Sequence, residues 1–375
     1  MDFPAIPKMR YKKGGADVKK IAALLLIVSL MLSGCSYWMN GSYSSIKPHE
    51  GPFDQEDKPA IPISNYTELT EALISLVESG AEDGSLSLQY DTEEIARADM
   101  NKAIQEVRTN NPFAAYAVED IRYALGASGS RNAVRLQITY QQSRVRPDKI
   151  QRVETIDQVR QIVSQHLIAC DRSAVLYFNN PEQVDYTQMV EDYALMNAQQ
   201  IMETPTVTVN RYPEQGQQQM VELVFTYQTS RAELRTMQNK VAPVFLSAYQ
   251  HTTGEWTAME KAQRLYSFLM ERYEYTIATS ITPAYSLLLF GEGDCKAFAM
   301  VYAAMCNQVK MDCRVVTGTR DGEPWVWNAI KIEGEYRYLD LLHCNSAESF
   351  VLLSREEMAG YVWDESLYHP VQENS

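Results

Sequence analysis

An internal repeat is the sequence feature that most constrains the fold of this chain. Residues 139–144 read Thr-Tyr-Gln-Gln-Ser-Arg, and residues 226–231 read Thr-Tyr-Gln-Thr-Ser-Arg. The hydrophobic spacing upstream of both segments runs in the same order, which predicts a helix, a strand, a second helix and two strands. Each copy spans about ninety residues, which is close to the usual size of a small domain. The chain is therefore expected to build one small α/β module twice.

Each copy is predicted to be a helix–strand–helix–strand–strand module. We place the first module at residues 65–153 and the second at residues 154–240. Asn-Asn-Pro occurs at an element end in each copy, and such breakers are typical of element boundaries. The predicted elements are helix 66–79, strand 86–90, helix 92–109 and strands 116–123 and 134–140 in the first copy, and helix 156–169, strand 174–178, helix 186–202 and strands 206–210 and 221–227 in the second.

Neither copy contains a convergent set of nucleophile, base and acid. We therefore interpret the two modules as structural or ligand-contacting units rather than as a second active site. The shared six-residue segment is interpreted as a strand that runs into a turn, with a recognition edge as the alternative.

Cys295 follows Gly-Glu-Gly-Asp and begins a run of helix-forming residues. The recurrence of apolar residues over 295–309 predicts a helix, with Cys295 in its first turn. The dipole and the free N–H groups at a helix N-terminus stabilise a thiolate and a developing oxyanion. Cys295 is therefore the candidate nucleophile, and a buried structural cysteine is the alternative.

Residues 325–340 predict a β-hairpin. The dipeptide Glu-Gly at 333–334 suits a two-residue turn. The register that follows from this turn places Trp327 opposite Asp340, and Trp325 diagonally from Asp340 on the same face. The side chain at position 325 is thus expected near Asp340, above the Cys295 helix if the sheet packs on it.

These segments resemble the transglutaminase-like cysteine hydrolases, which have a papain-like core. The matching segments are Gly-Asp-Cys-Lys-Ala-Phe-Ala at 293–299, Trp-Asn at 327–328 followed by Gly334, Tyr336 and Asp340, and the tail segments 350–358 and 361–364. They occur in the order of the family's nucleophile helix, hairpin and domain end.

The resemblance implies a transglutaminase-like, papain-like α+β domain at residues 241–370. It also implies that Cys295 attacks an amide carbonyl, while a histidine moves the proton and Asp340 orients that histidine. The fold class expected for the whole chain is α+β, with duplicated helix–strand–helix–strand–strand modules followed by this domain. No cofactor or metal is implied.

One catalytic position departs from the family pattern. The family's histidine stands two residues before Trp-Asn, where this chain has Trp325. An indole N–H donates a hydrogen bond but cannot accept a proton near neutral pH. His343 is the candidate substitute base, although an uninterrupted strand would place it on the opposite face from Asp340.

Two functions of the C-terminal domain stay open on this basis. The missing histidine favours a non-catalytic or weakly active binding module in the cell envelope. The presence of Cys295 and Asp340 supports the alternative, an active exported cysteine hydrolase or acyl-transferase that acts on peptide or isopeptide amide bonds.

The N-terminus predicts export and lipid attachment. Basic residues precede an apolar run at 21–32, which is shorter than the roughly 20 residues of a membrane span but suits a signal peptide. Leu-Ser-Gly-Cys at 32–35 resembles the lipobox of bacterial lipoproteins. This resemblance implies that residues 1–34 are removed and that Cys35 is lipidated on the outer face of the cell membrane, with an uncleaved membrane anchor as the alternative. Residues 35–64 are rich in Ser, Gly and Pro and predict a flexible tether.

Removal of residues 1–34 leaves a strongly acidic chain. The formal net charge changes from −14 to −18, because the segment contains six Lys or Arg and two Asp. Such a chain repels phosphate backbones, which argues against a nucleic-acid partner. The expected partners are membrane lipid through Cys35 and a protein, peptide or cell-wall ligand.

The other cysteines do not predict a disulfide scaffold or a zinc site. Besides Cys35 there are five, an odd number without regular spacing, so at least one thiol is expected to be free. Neither Cys-x-x-Cys nor His-Glu-x-x-His occurs in the sequence.

Overall fold

The first part of the chain forms a four-stranded sheet packed against three helices. The structure, a computed structural model, describes residues 60–126, 132–179, 184–342 and 350–365. The order in this sheet is β1-β2-β4-β3, with β1 parallel to β2 and the other pairs antiparallel. The strands are β1 (Ile61–Ile63), β2 (Asp83–Leu88), β3 (Val118–Leu125) and β4 (Ala133–Tyr140), and the helices are α1 (Tyr66–Glu78), α2 (Glu93–Asn110) and α3 (Pro112–Ala117).

A second sheet follows with the same topology. Its order is β5-β6-β8-β7, and again only the first pair is parallel. The internal duplication itself and the domain boundaries stay predictions. The elements are a 3₁₀ turn (Pro147–Lys149), β5 (Gln151–Val153), α4 (Ile156–Ile168), β6 (Ser173–Asn179), α5 (Tyr186–Met196), β7 (Thr206–Tyr212) and β8 (Gln218–Thr226).

Several details differ from the sequence expectation, among them helix α3, which occupies the start of the strand predicted at 116–123. Ile61–Ile63, which we placed in the tether, is strand β1, and Gln151–Val153, which we counted with the first module, pairs in the second sheet. Each strand is three residues long and buries only its last residue, so neither shows an alternating pattern. Helix α5 ends at Met196 instead of residue 202. The Asn197 side chain donates to the Tyr193 carbonyl at 2.8 Å, a local hydrogen bond that competes with continued helix.

Alternating burial along the central strands gives each sheet its own core. Val134, Leu136 and Ile138 of β4 are buried while their neighbours face outward, and β8 buries Leu223 and Phe225 in the same way. In the second sheet the opposite face is covered as well, since Met220 of β8 is fully buried in the core of the first sheet region.

The last part of the chain encloses one helix between other helices and a third sheet. Helix α8 is the enclosed one, since residues 297–306 are all buried. The sheet order is β13-β12-β11-β14, with all pairs antiparallel. The elements are α6 (Arg231–His251), α7 (Ala258–Met270), β9 (Glu274–Tyr275), a helical turn (Pro283–Tyr285) that continues as a π-helix (Ser286–Phe290), β10 (Glu292–Gly293), α8 (Cys295–Gln308), β11 (Cys313–Arg320), β12 (Glu323–Ile332), β13 (Glu335–Leu339) and β14 (Tyr361–Val362). Within the described residues, no helix combines the length and the apolar character that a membrane crossing requires.

Candidate active site

Cys295 is the first residue of helix α8, as the sequence predicted. The carboxylate of Asp294 caps the helix by accepting a hydrogen bond from the Ala297 N–H at 2.8 Å. Gly293 allows the chain to approach this turn closely, because a Cβ atom there would lie 2.9 Å from Cβ of Ala297. The parallel pairing of β9 with β10 places Tyr275 beside Gly293.

The surroundings of the Cys295 thiol favour its neutral form. Burial is the main cause that raises its pKa, and the negative charges of Asp294 and Asp340 raise it further. Hydrogen bonds from the backbone of Val326 and Lys296 act in the opposite direction but do not outweigh the burial. The expectation of a thiolate stabilised by the helix end is therefore wrong in sign, because tertiary burial exceeds the effect of the helix terminus.

The hairpin over residues 325–340 has the predicted register. Glu333 and Gly334 form the two-residue turn, with φ of 52° and 93° respectively. Ile332 pairs with Glu335, and the same register carried on from β13 sets Trp327 opposite Asp340. Because both turn residues have positive φ, the turn twists in the same sense as the strands that it connects.

Asp340 lies just after β13 and is almost fully buried, at 2% exposure. Its Oδ2 accepts hydrogen bonds from Trp325 Nε1 at 2.9 Å, an Arg320 guanidinium N–H at 3.0 Å and the Tyr361 hydroxyl at 2.6 Å. Its Oδ1 accepts from the Leu342 N–H at 3.0 Å. Arg320 also supplies the opposite charge that a buried carboxylate requires.

Trp325 thus lies where the sequence placed it, and its indole is bound to Asp340. The sequence resemblance leads us to expect a histidine at this position, which Asp340 would orient. The indole N–H reproduces the donor function toward the carboxylate but offers no proton acceptor for Cys295. The Tyr275 ring lies 6.2 Å from the Trp325 ring, so two aromatic side chains lie close to each other near the start of α8.

Asn328, beside Trp327 in the sequence, attaches the hairpin to helix α8. Its side-chain amide donates to the Ala299 carbonyl at 2.9 Å and to the Arg314 carbonyl at 3.3 Å, and the residue is fully buried. This contact joins the strand that carries Trp325 to the helix that carries Cys295.

The described histidines belong to other parts of the fold. His166 pairs with Asp171 at 2.9 Å, and the His251 ring packs edge-on against Phe268. His343, the candidate substitute base, lies outside the described residues. Among the described residues, no group of His, Cys, Asp or Glu has an arrangement that could hold a metal ion.

Sequence reasoning missed Arg320 and Tyr361, which bind Asp340. Arg320 ends β11 and Tyr361 begins β14, and these two residues pair with each other across the sheet. Strand pairing brings both residues close to Asp340, although they are distant from it in the sequence. The resemblance of segment 361–364 to the family was the one sequence signal, and it indicated Tyr361 but not Arg320.

Comparison with known proteins gives a family for the region that contains this site. Residues 247–365 match the transglutaminase-like superfamily. A search of the curated proteins finds no match of significance for the chain.

Three solved structures are similar to this chain. One is described as a TGase, with 8% identity and a TM-score of 0.26 over 52% of this chain and 59% of that one. A proposed cysteine protease from Cytophaga hutchinsonii is 12% identical, with a TM-score of 0.25 over 51% of this chain and 73% of that one. A proposed protease from Parabacteroides distasonis is 10% identical, with a TM-score of 0.23 over 58% of this chain and 52% of that one.

The chain thus spans less than two thirds of the TGase and of the Parabacteroides protein. The family match agrees with the two structural features described above, Cys295 at the start of a helix and Trp325 in a β-hairpin. Residues 247–365 of this chain form a transglutaminase-like domain.

Proposed function

We propose that this protein is a lipid-anchored cell-surface protein whose transglutaminase-like domain is a binding module without an efficient catalytic triad. The observation that carries the proposal is the 2.9 Å hydrogen bond from Trp325 Nε1 to Asp340. It fills the position of the family's histidine with a group that cannot take a proton from Cys295. General acid–base catalysis contributes about 10²–10⁴ in rate, so its loss is severe.

Two further features support a binding function over turnover. Burial raises the pKa of the Cys295 thiol, which lowers the population of the nucleophilic thiolate. Tyr275 and Trp325 provide aromatic surface near the start of α8, and aromatic side chains are common in recognition sites. The proposed ligand is a protein, peptide or cell-wall component that reaches the outer face of the cell membrane.

The alternative function is an exported cysteine hydrolase or acyl-transferase that acts on peptide or isopeptide amides. It is supported by the position of Cys295 at the start of α8, because the backbone N–H groups at a helix N-terminus can stabilise a developing oxyanion. In this alternative His343 supplies the base. The lipid anchor on Cys35 is common to both functions.

Amide-bond turnover by five forms of the purified protein distinguishes the two functions. The forms are the natural chain, Cys295→Ala, His343→Ala, Trp325→His and Trp256→His, assayed on a peptide amide and an isopeptide amide. We expect no Cys295-dependent turnover by the natural chain and a gain for Trp325→His, because an imidazole at 325 can accept the thiol proton. Trp256→His makes the same substitution at the residue whose ring lies under Arg264, and it should show no gain.

Turnover by the natural chain that is lost in both Cys295→Ala and His343→Ala would contradict the binding-module proposal. Circular dichroism of each variant shows whether a loss of turnover comes from unfolding. Turnover by Cys295→Ala and by His343→Ala, compared with that of the natural chain, thus distinguishes a catalytic site from a binding site.

A further inference from the structure

The second sheet region contains a groove between helices α4 and α5. Its volume of about 440 Å³ falls within the usual range for ligand sites in proteins. Val163 of α4 and Val184, which lies just before α5, are buried residues of the lining. Met189 and Tyr193 of α5 also line the groove, and they pack against the core of this region while they stay partly accessible. The groove therefore presents apolar surface to a ligand.

The apolar side chains of α5 form a stripe along the groove. Met189, Tyr193 and Met196 all line it, and they stand at positions i, i+4 and i+7, which one face of a helix presents together. Methionine is flexible and polarizable, so a wall with two methionines can adapt to apolar side chains of different shapes. The Met196 sulfur also accepts a hydrogen bond from the Val315 N–H of β11 at 3.4 Å, so the stripe reaches the transglutaminase-like domain.

Two carboxylates of the α5 side lie along the same groove. Asp185 caps the helix by accepting from the Gln188 N–H at 2.9 Å, and Asp192 accepts from the Gln188 side-chain amide at 2.8 Å. Both are exposed, and in the part of the chain that the structure describes neither one forms an ion pair. Arg160 on the α4 side is already paired with Asp157 at 2.7 Å. The uncompensated charge of the groove is therefore negative.

We propose that this groove binds a basic amphipathic helix of a partner protein. The apolar face of the partner helix fills the groove, and its Lys or Arg side chains meet Asp185 and Asp192. These carboxylates are seven residues apart, which corresponds to about 10 Å along the axis of α5. One small cation cannot contact both, whereas a helix with basic residues at the same spacing can. The spacing thus favours an elongated polybasic ligand over a small molecule.

The groove is separate in sequence from the match to the family. Its lining residues all precede residue 247, so the proposal depends neither on the function of Cys295 nor on the lipid anchor. The net charge of −14 on the whole chain also attracts a basic partner. The proposal gives the second sheet region a ligand-contacting function, one of the two roles that the sequence left open for it.

Fluorescence anisotropy with two synthetic peptides tests this proposal on the purified protein. Each labelled peptide has about 18 residues, or five helical turns, with leucines along one face. The other face carries lysines in the first peptide and glutamates in the second. We expect the natural chain to bind the lysine peptide but not the glutamate peptide. Added salt should weaken the binding, because it screens the opposite charges.

Three single substitutions on α5 locate the bound peptide. Met189→Gln should weaken the lysine peptide by about tenfold or more, because it places an amide in the apolar stripe. Asp192→Asn should weaken it by about two- to fivefold, as expected for an exposed ion pair. Glu191→Gln is the matched control, since it makes the same change of charge at an exposed neighbour that does not line the groove. It should leave the affinity nearly unchanged.

Equal binding of the two peptides would overturn the proposal, as would no binding of the lysine peptide or binding that neither Met189→Gln nor Asp192→Asn weakens. A dimer in analytical ultracentrifugation that Met189→Gln dissociates would show instead that a second copy fills the groove. Binding of the dye anilinonaphthalene sulfonate that Met189→Gln removes, without peptide binding, would show a site for small molecules. Circular dichroism checks the fold of each variant. If Met189→Gln does not fold, the exposed change Asp192→Asn still decides the question.

Discussion

At Asp340, side chains from three different strands donate to one carboxylate oxygen. Arg320, Trp325 and Tyr361 belong to β11, β12 and β14, and Arg320 also neutralises the charge. A buried carboxylate is tolerated only when it is paired and hydrogen-bonded, and these donors meet both needs. Asp340 therefore has a structural function in this sheet that does not require a working triad.

The sequence was sufficient to place Cys295, Trp325 and Asp340 but not their environment. Motif order and one two-residue turn are local features, and they set the helix start and the hairpin register. The burial that raises the Cys295 pKa, and the approach of Arg320, arise from the packing of distant strands. Local patterns carry no information about such packing, which is why the thiolate expectation had the wrong sign.

Alkylation of Cys295 by iodoacetamide should be slow at neutral pH. Since burial raises its pKa, less thiolate is present than in a free cysteine, whose pKa is about 8.5. The rate should therefore keep rising as the pH passes that value. Peptide mass spectrometry at a series of pH values measures it, with Cys295→Ser as the blank and the denatured chain as the unshielded reference. A rate at neutral pH equal to that of the denatured chain would contradict this prediction.

At the level of secondary-structure elements, long periodic segments could be predicted and short edge strands could not. Thr155 and Thr257 cap the N-termini of helices α4 and α7 with capping boxes, and the apolar spacing of both helices is regular. Strands β1 and β5 owe their existence to the neighbour with which each one pairs. A three-residue strand has too little sequence to show a period of two.

The two copies of the repeated segment place their arginines in different environments. Arg144 forms a largely buried ion pair with Glu222 at 2.6 Å and lies between the rings of Tyr116 and Tyr212. It thereby crosses from the first sheet region to the second. Arg231 is more exposed, at 56%, and pairs with Asp171 at 2.8 Å.

Arg144→Ala should therefore cost far more stability than Arg231→Ala. Breaking a buried pair leaves the Glu222 charge without its partner, which costs about 3 kcal/mol of unfolding free energy. The exposed pair of Arg231 should contribute less than about 1 kcal/mol. Urea denaturation of both variants measures the difference in unfolding free energy. Equal losses of unfolding free energy would show that the contacts of Arg144 between the two sheet regions do not stabilise the protein.

Gly318 of β11 is a position where any side chain meets another strand. A Cβ atom there would collide with the Val362 carbonyl of β14 and lie 2.8 Å from the Trp327 ring. Gly318→Ala should cost about 2 kcal/mol, because β14 has to shift. Gly334→Ala is the matched control. A Cβ atom at position 334 would have no other atom within 4 Å. Only the positive φ of 93° disfavours alanine there, and it should lower the unfolding free energy by about 1 kcal/mol. Urea denaturation measures the unfolding free energy of both variants. A smaller loss of unfolding free energy for Gly318→Ala than for Gly334→Ala would contradict the expected steric clash at position 318.

At the scale of the whole molecule, the transglutaminase-like domain shares its core with the segment before it. The core around α8 includes Cys170, Ala198 and Met202, which precede the family match at residue 247. The Val315 N–H of β11 also donates to the Met196 sulfur at 3.4 Å. The segment before residue 247 therefore packs directly against the transglutaminase-like domain. The folded unit that contains Cys295 is thus larger than the region that matches the family.

Attachment of this body to the membrane should depend on lipid at Cys35 rather than on charge. Without residues 1–34 the chain carries a net charge of −18, which anionic membrane surfaces repel. Buried acyl chains supply about 0.8 kcal/mol per CH₂, so a multi-chain anchor resists a high-salt wash. We expect labelled fatty acid to enter the natural chain and Cys170→Ser, but not Cys35→Ser, with detergent needed to release the labelled protein. Mass analysis that finds an intact N-terminus with unmodified Cys35 would refute the anchor.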